Sequence, residues 1–242
     1  MRRTEIDNLR WFCILLLFPY HAAMIYNCWG EGFYVRGVSS EAISSFIIAT
    51  YTWFMPLLFV LAGASSAFAL QKRTTKEYVL ERVKKLLIPL LLGILFIVPA
   101  QTYYAERFHN AYTGGYFAQY ALFFGKFGDL SGYTGGFTVG HLWFLLYLFV
   151  ISMLALPVMR LSQRVSGKLK LGALPVYAVV LLFLVPLLFA PVFEIGGKSL
   201  GLYFMLFLAG YFLLANEQIA GRLEQSRVPL FVAAVVLIAV KL

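Results

Sequence analysis

The chain has 242 residues, 61% of them hydrophobic and only 13% charged, with a mean hydropathy of +0.81. A water-soluble domain of this length needs about a quarter of its residues charged to cover its core, so a soluble fold is excluded and an integral membrane protein is implied. The net charge of +9 does not mark a nucleic-acid binder, because the cations sit in short clusters between apolar runs, as membrane proteins carry them in cytoplasmic loops.

A membrane-spanning helix needs about 20 mostly apolar residues. Runs of this kind are predicted at 9–28, 43–70, 86–104, 139–159, 171–191 and 199–215. A seventh begins near Val228 and reaches Leu242, which is short for a crossing. The expected fold is an all-α polytopic transmembrane helix bundle with six full spans and a truncated seventh. It is expected to be a single domain over 1–242, cut short of further C-terminal spans. Arg2 and Arg3 before the first run resemble the basic end of a signal peptide, but no A-x-A site follows promptly and aromatic residues continue through Trp29. An uncleaved first span is therefore expected.

Orientation follows from the connections. Arg2, Arg3 and Arg10 flank the start of the first span, and Lys72, Arg73, Lys76, Arg82, Lys84 and Lys85 follow the second. Arg160, Arg164, Lys168 and Lys170 follow the fourth, and Arg222 and Arg227 the sixth. The alternate connections hold few cations, so the N-terminus is expected in the cytoplasm.

Within the second span, Pro56 is expected to kink the helix, and the small residues Gly63 to Ala67 to admit another helix closely. The longest external connection, 105–138, is rich in Gly, Tyr and Phe. Its composition suits the membrane interface, with a short helix at 116–124 in that plane, although aromatic faces also stack on sugar rings. Glu106, His109 and Asp129 are expected there as solvated polar groups, and Glu194 beside Gly196 and Gly197 as part of a turn. Cys13 and Cys28 give no disulfide or metal framework. No metal-ligand spacing, G-x-S-x-G element or nucleotide loop occurs.

The first span carries the chemistry. Arg10 and His21 are eleven residues apart, about three turns plus 20°, so they share a helix face at a displacement of about 16 Å. Asp7 lies one turn before Arg10 and can pair with it. Alone, Arg10 reads as a snorkelling anchor and His21 as an interhelical hydrogen-bond partner. Together they form a polar stripe, and ionisable groups inside a membrane mark function. Such a stripe fits a long anionic substrate whose reactive end lies far from its charge. Acyl-CoA is of that kind: its phosphates would meet arginine and lysine at the cytoplasmic surface, and its arm would carry the thioester roughly 15–20 Å inward. A neutral imidazole there could take the proton of an attacking hydroxyl.

The pattern D-x-x-R-x10-H formed by Asp7, Arg10 and His21 resembles the start of the membrane acyltransferase 3 family. "MPLLFVLAG" (55–63) is similar to the family's second-span segment, and "RVKKLLIP" (82–89) to its R-x-x-R-L-x-x-P element, with Lys85 in the second basic place. "HLWFLLYL" (141–148) resembles the opening of a later span. With "FPYHAAMIY", the last of these most resembles the branch that contains the glucan-modifying protein C of bacterial envelopes. The likeness covers most of 5–160 and becomes generic beyond.

The resemblance implies a membrane O-acyltransferase of the bacterial cytoplasmic membrane. It would move an acyl group, acetyl or succinyl, from cytoplasmic acyl-CoA to an envelope glycan or lipid-linked saccharide. It implies His21 as general base, with Arg10 and Asp7 beside it in the catalytic set, and Arg10, Arg82 and Lys85 as the donor-binding cations. His141 and Trp143 would meet the acceptor or, equally, stand in the aromatic belt at the interface. No permanently bound cofactor is implied; acyl-CoA is a substrate. The alternative reading is a transporter or flippase in which the stripe lines a pathway.

Overall fold

The computed structural model of the protein describes residues 4–29, 33–128, 131–165 and 171–241. Helix α1 runs over Thr4–Met24, with Glu5 and Asp7 in its first turn, where carboxylates complement the positive end of the helix dipole. Helix α2, Glu41–Lys72, starts at Ser40, whose side chain accepts from the Ile43 amide, and continues through Pro56. Helix α3 spans Thr75–His109. It opens on a capping box in which Thr74 and Glu77 satisfy each other's backbone amides. Over Val83–Leu87 its winding widens, and the Ile88 amide reaches back five residues to the Val83 carbonyl.

After α3 comes the short helix α4, Tyr116–Gly125, then α5, Gly140–Arg164. Helix α6 covers Val176–Phe189 and tightens from Val185 onward, where Pro186 sits. A two-stranded antiparallel hairpin follows, β1 (Glu194–Ile195) against β2 (Lys198–Ser199), in the register Glu194↔Ser199. Helix α7, Leu200–Leu214, turns by 91° into α8, Glu217–Gln225. Asn216 caps α8 by accepting from the Gln218 and Ile219 amides. Helix α9, Arg227–Lys241, ends the described chain.

By length and composition α2, α3 and α5 can each cross a membrane, and α7 with α8 makes a fourth, bent candidate. Helix α1 has the length, at 21 residues, but the stripe Asp7–Arg10–His21 dilutes its apolar character. Helices α6 and α9 are apolar but shorter. Trp11, Phe12, Leu15 and Phe18 of α1 stand exposed, a face made for lipid or another apolar helix rather than water.

The centre of the bundle is α2. Its buried run Leu58–Ala64, with Phe54 and Met55 before it, packs against α1 on one side and α7 on the other. The α2–α7 crossing depends on two glycines: a Cβ on Gly63 would strike the carbonyl of Phe207, and one on Gly210 the carbonyl of Val60. The small-residue patch expected to admit a neighbour therefore does so, through Gly63. Around the crossing lie Phe59, Ile151, Met159 and Phe207, all with no exposed surface.

The external connection is tied down more firmly than expected. Glu106, read from sequence as a solvated charge, is 2% exposed. It accepts from Lys126 at 2.7 Å and from Asn110 at 2.6 Å. A buried carboxylate is tolerable only when paired and hydrogen-bonded in this way. His109 is also engaged: its Nε2 donates to the Phe33 carbonyl at 2.6 Å. Asp129 lies outside the described residues. Helix α4 forms where it was expected, with Phe117 exposed and Phe123 buried. Both cysteines are free, Cys13 buried and Cys28 exposed.

Candidate active site

His21 lies near the end of α1, one turn after Leu17. Its Nδ1 sits 2.8 Å from the Leu17 carbonyl. A carbonyl only accepts, so Nδ1 carries the proton and a neutral His21 keeps its lone pair on Nε2.

His141 opens α5 and meets it. The two ring centroids are 4.1 Å apart and the planes nearly perpendicular, at 82°. Gly140 makes this placement possible: its φ is +52°, and a Cβ there would crowd Gln101 and the Tyr34 hydroxyl. The Gly140 amide donates to Thr138 Oγ1 at 2.9 Å, fixing the turn. The Nδ1 of His141 is engaged by the side-chain amide nitrogen of Gln101, on α3. Its Nε2 is buried and has no protein partner.

Aromatic rings enclose the pair. Tyr20 stands 5.2 Å from His21, and Tyr34 and Phe33 stand 5.3 and 5.7 Å from His141. Tyr133 packs against both Phe33 and Tyr34, completing a roof. Tyr34 donates to the Ser131 carbonyl; burial pushes its phenol above the usual range, so it stays neutral at physiological pH. His109, through its bond to Phe33, holds this roof to α3.

Below the roof is a cavity of about 570 Å³. Both histidines line it, together with Leu17, Leu58, Trp143, Tyr147 and the hairpin residues Ile195 and Lys198. Lys198 Nζ lies 5.5 Å from the Trp143 ring centroid. Tyr147 ties the hairpin down by donating to the Lys198 carbonyl at 2.8 Å. Trp143 thus stands in the cavity wall, against Tyr147 at 5.3 Å and Tyr203 at 5.5 Å.

The stripe continues towards the other end of α1. Ile14 and Leu17 line the cavity and lie between His21 and Arg10 at helical spacing, i, i+4, i+7 and i+11. Arg10 donates to Ser65 Oγ at 2.6 Å and pairs with Asp7 at 3.5 Å. Arg82 donates to the adjacent Ser66 Oγ at 2.8 Å, and its guanidinium lies 4.8 Å from the centroid of the buried Tyr78 ring. Tyr78 donates to the same Ser66 oxygen at 3.0 Å. Two guanidinium groups are therefore hung side by side on neighbouring hydroxyls of α2. The neutral hydroxyls position these cations without cancelling their charge, although Arg10 also has the Asp7 carboxylate beside it.

Lys85 does not join them. It is exposed and pairs with Glu81 at 2.6 Å, and Glu81 also takes Arg73. The widened turn at Val83–Leu87 explains the divergence: three residues fall further short of a full turn there than in an α-helix, so Arg82 and Lys85 do not share a face.

Ser65, Ser66, Tyr78, Gln101, Phe33 and Tyr34 escape the sequence reading. A signal existed for Gln101, an isolated amide in an apolar span. Another existed for the Ser65–Ser66 pair, which is polar within a patch otherwise made for close packing. Among the described residues no group of three or more His, Cys, Asp or Glu side chains could hold a metal ion.

The acyltransferase domain of the acyltransferase 3 family matches residues 3–240, and the chain belongs to that family. It is a membrane acyltransferase, an enzyme that transfers acyl groups other than amino-acyl groups. No curated protein and no solved structure matches it.

Proposed function

We propose that this acyltransferase takes its acyl group from cytoplasmic acyl-CoA and passes it to a hydroxyl of an envelope glycan or lipid-linked saccharide. His21 acts as general base. The acyl group is acetyl or succinyl, as in the glucan-modifying branch that the motifs resemble, and the membrane is the bacterial cytoplasmic membrane. The chain crosses it six times with its N-terminus inside, using α1, α2, α3, α5, α6 and α7.

The observation that carries this reading is the state of His21. Its Nδ1 proton is spent on Leu17, which leaves Nε2 as a base in a cavity where an acceptor hydroxyl can be placed. Arg10 and Arg82 supply the opposite end of the reaction. Their forks suit the phosphates of coenzyme A, and Asp7 orients the first of them. Lys85 is a rim cation that attracts the donor without a fixed contact. Trp143, with Lys198 above it, offers the acceptor a stacking face beside His141.

The orientation fits as well. Cytoplasmic charge surrounds Arg10 and Arg82, whereas the histidine pair sits beneath loops that face outward. Only the acyl group and the arm that carries it have to penetrate the protein.

The test uses inverted membrane vesicles containing the full-length protein and radiolabelled acetyl- or succinyl-CoA. Label should enter the glycan fraction with the wild type and not with His21→Ala. Equal label in both discards His21 as the base. Absence of both transfer and acyl-CoA binding moves the reading to a transporter.

A further inference from the structure

The two histidines of the cavity are held in opposite tautomers. His21 donates from Nδ1 to the Leu17 carbonyl and keeps Nε2 as an acceptor. His141 is the reverse. The Gln101 amide nitrogen can only donate, so His141 Nδ1 accepts from it. The proton of neutral His141 is therefore on Nε2, the atom that is buried and without a protein partner. A buried, unsatisfied N–H is costly. Here the ring that carries it lines a cavity, 4.1 Å ring to ring from the proposed base.

We infer that His141, set in this tautomer by Gln101, is the oxyanion donor of the reaction, and that Gln101 is the positioning residue that fixes it. The inference rests on the acyl-transfer reading above and assigns the half of the chemistry that His21 does not perform.

The acceptor hydroxyl loses its proton to His21 Nε2 as its oxygen bonds to the thioester carbon. The carbonyl π pair moves onto oxygen, and that oxyanion accepts the Nε2–H of His141. On collapse the C=O bond re-forms and the C–S bond breaks. The leaving thiolate takes the proton from the His21 imidazolium, which returns the base to neutral. His141 keeps its proton throughout. A donor of this kind is useful only when aimed where charge develops, and one such donor is worth about 10²–10³ in turnover.

Geometry explains why a glutamine is used. Gln101 stands on α3, while His141 is on α5 next to Gly140. A Cβ at that glycine would strike the Gln101 side-chain oxygen, so this oxygen packs on the bare Cα while the amide nitrogen meets the imidazole. A glutamate in the same place would present only acceptors and would draw the His141 proton onto Nδ1.

The experiment has two arms on the full-length protein in nanodiscs. In the first, histidine labelled with ¹⁵N reports each ring nitrogen directly. The expected spectrum gives His141 a protonated Nε2 and a bare Nδ1, with His21 the other way round. His141 protonated on Nδ1 overturns the inference. This arm needs no turnover, so it remains decisive where His21→Ala leaves transfer unaffected and the acyl-transfer reading itself fails.

In the second arm, Gln101→Glu is expected to lower kcat by about 10²-fold or more with little change in KM for acyl-CoA. His141→Asn, which keeps an N–H, should retain more turnover than His141→Leu. A Gln101→Glu enzyme with wild-type kcat refutes the positioning role. Equal losses in His141→Asn and His141→Leu refute the donor role.

Discussion

The two ends of the α1 stripe solve opposite problems. At the end that the proposed orientation makes the outer one, His21 and His141 sit among aromatic rings with their protons assigned by neutral partners, Leu17 and Gln101. At the inner end, Arg10 and Arg82 keep their charge and are held by Ser65 and Ser66. One end fixes where a proton lies, and the other fixes where a charge lies. Hydrogen bonds with uncharged groups orient a functional side chain without neutralising it, as Ser66 does for Arg82, whereas the short Lys85–Glu81 pair uses up the charge that it orients; Arg10, with both Ser65 and the longer contact to Asp7, stands between the two.

The contrast can be broken first at the outer end. His21→Ala should reduce turnover by about 10²–10⁴, the usual contribution of a general base, while the dissociation constant for acyl-CoA stays within twofold; a parallel loss of binding would merge the two ends into one site. At the inner end, Arg10→Ala should weaken acyl-CoA binding about 10–150-fold, on the basis of about 1.5–3 kcal/mol for hydrogen bonds to charged groups. Calorimetry in detergent would read this, and unchanged affinity would remove Arg10 from the donor site. The roof offers a third comparison. Lys126→Met leaves the buried Glu106 without its cation and should cost about 1–3 kcal/mol of stability, visible as a lower thermal midpoint. The smallest effect belongs to Lys85→Ala, an exposed pair worth about 0–1 kcal/mol; an affinity loss as large as that of Arg10→Ala would put Lys85 back beside the arginines.

Legibility from sequence followed the range of the interaction. The stripe was readable because Asp7, Arg10 and His21 lie on one helix and 3.6-residue periodicity relates them. The spans corresponding to α2, α3 and α5 were readable as long apolar runs. The predicted span 171–191 shortened to the helix Val176–Phe189; Pro175 precedes its first residue, and Pro186 cannot donate within its tightened last turn.

Meetings between helices left no such trace. His141 and Gln101 are forty positions apart in the chain, and nothing in either segment encodes the other. Glu106 was misread as solvated because Lys126, its partner, arrives from beyond α4. Lys85 appeared to accompany Arg82 because periodicity assumes uniform winding, and the winding at Val83–Leu87 is not uniform.

Helix α2 takes part in both ends. It contributes Phe54, Met55 and Leu58 to the cavity wall and Ser65 and Ser66 to the arginines, and its crossing with α7 at Gly63 is too tight for sliding. On the proposed function this one helix acts as a ruler between the anion clamp and the base, which α1 matches with its own spacing of about 16 Å. If acyl-CoA is the donor, as proposed, it is accepted by its length before its chemistry is tested. On the same reading an activated acyl group on a short carrier, such as an acyl phosphate, should reach one graduation or the other and not both.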